Sequence, residues 1–228
     1  METLITFLKY SHIAAGVVSL VTAPVAISSA KGGYVHRVSG KIFFWAMLYI
    51  FISALILGTY HWKPFLLMVS VLSFYLVYSG YRSLFQKQVP LGKAVTWYDW
   101  TLAVACGAFM LAFLIWSIDL MAGGTNVTLL MFFSIGGLFS IVTEVKRYVA
   151  RSEVRHGWLY NHIGRMVGGF IAAVTAFSTN VLNFLPEIAQ WLWPTLIGTP
   201  LITYWIRTYR KKLDNGARIT DLVQLKKR

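Results

Sequence analysis

The 228 residues of this chain are 57% hydrophobic and only 13% charged, whereas soluble domains carry roughly 25% charged residues. Such a chain lacks the residues for a polar skin, and the mean hydropathy of +0.62 excludes a water-soluble globule. The formal charge of +13 would point to nucleic acid in a soluble protein, but here basic residues flanking apolar runs set membrane orientation, and no nucleic-acid partner is expected.

A bilayer core of about 30 Å needs roughly 20 apolar residues in helix. Seven stretches meet this, at 5–29, 41–60, 64–85, 98–118, 127–145, 162–185 and 189–208. The first holds His12, Gly16 and Pro24, is too long for a cleavable leader, and ends at Lys31-Gly32-Gly33. The second opens after His36-Arg37 and Gly40-Lys41 and closes on Tyr60-His61-Trp62. Lys63-Pro64 starts the third, and Pro90-Leu91-Gly92 separates it from the fourth, which carries Asp99 and the single cysteine, Cys106. Gly123-Gly124 precedes the fifth, which has Glu144 near its end. Arg155-His156, and then His162-Ile163-Gly164-Arg165, lead into the sixth. Pro186 precedes the seventh, where Pro194 and Pro200 are expected to bend the helix. The expected architecture is an all-α polytopic bundle over 1–212 with a basic cytoplasmic tail over 213–228.

Lys and Arg counts give the sides. All 21 except Lys9 and Lys63 fall on the connections after the first, third and fifth spans or in the tail. The positive-inside rule makes that side cytoplasmic, so the N-terminus lies outside. Aromatic residues at Trp97-Tyr98, Trp158, Tyr160, Trp191 and Trp193 suit the headgroup level. The lipid bilayer is the one partner this pattern defines; oligomeric state is left open.

The chain has no Walker motif, HExxH or nucleophile elbow, and the seventh span has no interior lysine for a retinal Schiff base. Chemistry therefore gathers at the two faces. The inner face collects His36, Arg37, Asp99, Glu144, His162 and Arg165. Asp99 and Glu144 could pair with arginines to hold helix ends, or the helix starts and basic groups could receive an anion. On the outer side, Thr175, Thr179 and Asn183 recur every four residues and share a helix face. An outward pocket of His12 with that stripe is expected, against the simpler reading that these groups bond neighbouring helices. No metal site is expected. Five histidines also raise haem b as an alternative cofactor, with His12 and His61 at the outer level and His36 and His162 at the inner one. The shared entry pattern of His36 and His162 further raises parallel repeats of spans one to three and five to seven.

The stretches His12-Ile-Ala-Ala-Gly16, Ala23-Pro24-Val25-Ala26, Lys31-Gly32-Gly33 with His36-Arg37 and Gly40-Lys41, and His162-Ile-Gly-Arg-Met166-Val-Gly168-Gly169 through Phe177 resemble a family of uncharacterised bacterial predicted membrane proteins, the domain of unknown function twenty-three-zero-six type. The resemblance covers the first two spans and the sixth, with Ala23 where the family often has Gly. It implies a bacterial inner membrane and supplies no activity or catalytic residues. The expectation is a multi-pass protein for which small-ligand or lipid binding or transport is favoured over catalysis. Haem-bound electron transfer and a pocketless assembly factor stand as rivals.

Overall fold

The computed structural model describes residues 2–87, 95–150, 156–219 and Leu222. It is all-helical: α1 (Glu2–Ser28), α2 (Tyr34–Tyr60), α3 (Pro64–Arg82) with a short 3₁₀ turn over Ser83–Phe85, α4 (Trp97–Ala122), α5 (Thr128–Ala150), α6 (Gly157–Val181) and α7 (Glu187–Asp214). Five of these, α1 to α5, are long and apolar enough to cross a membrane. Large apolar side chains such as Phe7, Val17, Trp45, Val104, Ile115, Phe139 and Leu196 face outward along them and α7.

Each apolar run of the sequence becomes one helix, with shifted ends. α2 starts well before 41, because Gly33 takes an extended backbone and caps the helix there, which puts His36 and Arg37 in the first turn. α6 starts at Gly157 and stops at Val181, so Asn183 lies past its end. α1 and α7 run unbroken through Pro24, Pro194 and Pro200. The expected tail boundary at 212/213 also moves. α7 reaches Asp214, and Leu213 and Leu222 bury themselves with Leu159, Tyr160, Ile163 and Tyr209. Burial of these apolar groups outweighs the local polarity on which that boundary was drawn.

In space α1 packs on α2, α2 on α3, α3 on α6 and α6 on α1, closing a ring of four helices. α7 leans on the outside of α6, and the α4–α5 hairpin packs on α3. The two expected repeats are not equivalent, because α5 pairs with α4 whereas the corresponding α1 pairs with α2.

Between α3 and α6 the ring closes where glycines replace side chains. A Cβ at Gly80 would lie 3.0 Å from Arg165 Cβ and 3.0 Å from the Met166 amide nitrogen, and one at Gly169 would run into Val77 Cγ2. Small residues allow this approach, which is how membrane helices gain packing energy when lipid is as apolar as their own side chains. Below one end of the ring, Ala23, Phe43, Met47 and Val77 form a core with Met166, Phe170 and Ala173 against it. A second core joins α3, α4 and α5 through Met68, Leu72, Ala103, Met110 and Ile141.

Candidate functional site: a basic cavity at one end of the ring

Two ionic clamps and one cavity occupy the end of the bundle at which the basic residues collect. Asp99, 2% exposed, opens α4 and takes Arg82 in two parallel bonds of 2.8 Å. It also accepts the Thr96 amide at 2.9 Å, completing a capping box. This bidentate geometry is the strong form of an arginine–carboxylate pair, and it fastens α3 to α4.

Glu144, 1% exposed, binds α5 to α6. Its Oε1 accepts Arg147 Nη2 at 2.6 Å, while Oε2 lies 3.1 Å from Arg165 Nη2 and accepts Asn161 Nδ2 at 3.2 Å. Arg165 uses its remaining donors on Asn161 Oδ1 at 3.0 Å, Ser79 Oγ at 2.9 Å and the Ser140 carbonyl at 2.8 Å. Arg147 also donates to Gln86 Oε1. Every polar atom of the Arg165 fork therefore has a partner, which is the condition under which a buried charge is tolerated.

The consequence for the rest of this layer is electrostatic. Both acids are neutralised inside their own clamps, so neither offsets the basic residues around the neighbouring cavity. That cavity, of about 420 Å³, is closed by the ends of α1, α2, α3 and α6 together with α7. Lys31, Arg37, Lys41 and Lys87 reach it, and among the described residues no Asp or Glu does. Its remaining surface is apolar and aromatic, from Phe43, Tyr81, Trp158, Met166, Phe170 and Trp205 among others.

Lys31 is 9% exposed and follows the end of α1, where its ammonium donates to the Ile27 carbonyl at 2.5 Å and the Ala26 carbonyl at 3.4 Å. A cation there answers the partial negative charge of the helix C-terminus. Gly32 turns the chain next to it with φ +76, a conformation that glycine adopts freely. Burial lowers the Lys31 ammonium to about 8, so it stays mostly charged at neutral pH. Lys87 lies over the Trp158 ring at 4.7 Å.

His36 and His162 meet inside this cavity. Their ring centroids are 6.3 Å apart and their planes cross at 74°. His36 Nδ1 lies 2.9 Å from the Ala26 carbonyl of α1, and His162 Nδ1 lies 2.9 Å from the Gly80 carbonyl of α3. A carbonyl only accepts, so each Nδ1 carries the proton, and in the neutral ring Nε2 holds the lone pair.

The expected inner cluster thus divides. His36, His162 and Arg37 belong to the cavity, while Asp99 is in one clamp and Glu144 and Arg165 are in another. The expected outer pocket does not assemble. His12 Nδ1 pairs with Ser53 Oγ of α2 at 2.8 Å, beside a Ser11–Tyr49 contact of 2.6 Å. Thr175 and Thr179 donate to carbonyls of their own helix, those of Ile171 and Ala176, and Asn183 is exposed beyond α6. Hydroxyls satisfied by their own helix have no need of a partner across the bundle. His61 is exposed and sits edge-on against Tyr60 at 5.0 Å, so His12 and His61 make no ring contact. Among the described residues no cluster of three or more His, Cys, Asp or Glu is arranged for a metal ion.

Lys87 and Trp158 were legible only as an orientation charge and an interface aromatic, Lys31 and Lys41 also as parts of the family-like stretch, and nothing in the sequence singled out Tyr81. The one available signal was a lysine directly after the end of an apolar helix. Arg151, Arg155 and Lys93, counted above toward topology, lie outside the described residues, as does half of the tail. No protein-family model matches the chain, and searches of curated proteins and of solved structures give no significant match.

Proposed function

We propose that this chain is a seven-span protein of a bacterial inner membrane, with its basic end in the cytoplasm, that binds an anionic amphiphile in the cavity at that end and retains or transports it. The observation that carries this reading is the lining: Lys31, Arg37, Lys41 and Lys87 around an apolar and aromatic interior, with no acid among the described residues. A ligand suited to it has an apolar body and a carboxylate or phosphate. The cavity also favours this reading over an assembly factor without a pocket.

Two features support α6 and α7 as additional spans. Their 25 and 28 residues are roughly 37 and 42 Å long at about 1.5 Å per residue, more than the core of about 30 Å. Several of their polar groups also have partners. Asn161 and Arg165 sit in the Glu144 clamp, Ser178 accepts from Trp193 Nε1, and the charges of α7 collect near its ends. The resemblance in the first, second and sixth helices supports the bacterial inner membrane.

The test uses the purified full chain in detergent with a fluorescent long-chain fatty acid, its methyl ester and the matching amine. The acid is expected to bind at least about tenfold more tightly than the ester, a difference of about 1.4 kcal/mol, and the amine more weakly still. Lys31→Gln combined with Arg37→Gln and Lys41→Gln should remove the preference for the acid. Equal affinities for all three probes would overturn the proposal.

A further inference from the structure

We infer that the cavity takes an iron porphyrin, held axially by Nε2 of His36 and Nε2 of His162, with its two carboxylates on the basic rim. This deepens the anionic-amphiphile reading and rests on it.

The first support is position. α2 and α6 are the diagonal members of the four-helix ring, with α1 and α3 between them on either side. One imidazole comes from the first turn of α2 and the other from the second turn of α6. Cofactors in helical bundles are held in this way, by side chains on facing helices.

The second support is how the rings are held. Metal-binding histidines donate their other N–H to a carbonyl or carboxylate, which fixes the tautomer and ring orientation. Here both Nδ1 atoms do so, to Ala26 and Gly80, each at 2.9 Å. His12 is different, since its Nδ1 is matched to a hydroxyl that can donate or accept. The third support is spacing. Imidazole nitrogens bind metals at about 2.0–2.1 Å, so an ion between two Nε2 atoms would set the ring centroids roughly 6 Å apart. The observed separation is 6.3 Å.

The lining then decides which metal species fits. A bare divalent ion needs more than two ligands, and among the described residues no third His, Cys, Asp or Glu joins this pair. Such an ion would also sit among the charges of Lys31, Arg37 and Lys41. An iron porphyrin removes both objections. Its four ring nitrogens complete the coordination, and its carboxylates turn the basic rim from a repulsive group into a binding one. Its flat apolar ring matches walls made by Phe43, Met166 and Phe170, and Gly40, one turn after His36, lines the cavity without a side chain.

The experiment is expression of the full chain in cells supplied with a haem precursor, purification in detergent, and absorption spectra before and after dithionite. The expected result is about one haem per chain with the sharp Soret, α and β bands of low-spin iron with two imidazoles. His36→Ala and His162→Ala should each abolish those bands or convert them to a high-spin form, while His12→Ala and His61→Ala leave them unchanged. If an alanine variant does not fold, His162→Met serves instead, since a methionine axial ligand keeps the haem and raises its potential. A haem-free product that also fails to form a one-to-one low-spin complex with added haemin overturns the inference, as does a low-spin spectrum indifferent to both His36→Ala and His162→Ala. Fatty-acid binding retained without haem binding overturns this inference alone. Loss of both overturns the anionic-amphiphile reading as well.

Discussion

Replacing Glu144 by alanine removes the centre of the larger ionic clamp, and the structure sets the size of the effect. The carboxylate is 1% exposed and faces Arg165, itself 6% exposed, so the substitution strands a guanidinium with little access to water. Arg147 has 19% of its side chain exposed and is better able to relax. Breaking one partner out of a buried pair costs about 3–5 kcal/mol. In a chain of this length each kcal/mol moves Tm by about 2–4 °C, so a fall of roughly 6–20 °C is expected. Scanning fluorimetry in detergent reads this directly from the native tryptophans. The double variant Glu144→Met with Arg165→Met removes both charges and should recover most of the loss, because a buried pair replaced by apolar groups of similar volume is close to neutral. A single variant within about 2 °C of the parent would refute the reasoning, since it would mean that Arg165 finds water or another acid.

The remaining predictions concern the seam, the cavity and the topology. Gly169→Ala drives a methyl into Val77 and should cost about 1–3 kcal/mol; combining it with Val77→Ala should restore stability, and a double variant no better than the single would show that the two helices are not in contact there. Lys31 binds its proton more weakly in the folded chain, at about 8 against the ordinary 10.5. The unfolded chain therefore holds more protons between those values, and the contribution of Lys31 to stability is poorest below about pH 8 and improves as pH rises through that window. Lys31→Gln should flatten this rise in a pH series of melts, with His36, Arg37, Lys41, Lys87 and His162 left in place around the same cavity. Affinity for an anionic probe should fall over the same range as the ammonium loses its proton. Reporter fusions should show the C-terminus in the cytoplasm and the Tyr60–Lys63 turn outside; a reporter at that turn active only in the cytoplasm would invert the topology.

Hydropathy located every described helix because each grows from a long, largely apolar run, and such a run leaves a simple trace. Ends were less legible. Gly33 and Gly157 start α2 and α6 earlier than the apolar runs do, because first turns are polar whenever they line a cavity or join a clamp. The pairing of Asp99 and Glu144 with arginines was readable as one of two options, from the cost of a lone buried acid. Arg147, three residues after Glu144, is a partner that helical spacing offers; the distant partners were not readable, since Arg82 is 17 residues from Asp99 and Arg165 is 21 from Glu144, and helix packing decides which approach. The four-residue recurrence of Thr175, Thr179 and Asn183 carried no pocket. Periodicity reports a shared face only while the helix lasts, and α6 stops at Val181. His36 and His162 looked alike in sequence because each enters a helix of the same direction, yet their meeting depends on the diagonal placement of α2 and α6, which no local pattern encodes.

The two imidazoles are also cross-braces. Each is rooted on one helix and tied by Nδ1 to the backbone of another, α2 to α1 through Ala26 and α6 to α3 through Gly80. Any ligand that grips Nε2 must then hold four helix ends in register at once, and its binding free energy becomes resistance of that end of the ring to opening. At a concentration of about 100 Kd this amounts to about 2.7 kcal/mol. It should emerge as slowed amide exchange in the turn between α1 and α2 and at the end of α3, while the opposite end of the bundle, where His12 meets Ser53, exchanges as before.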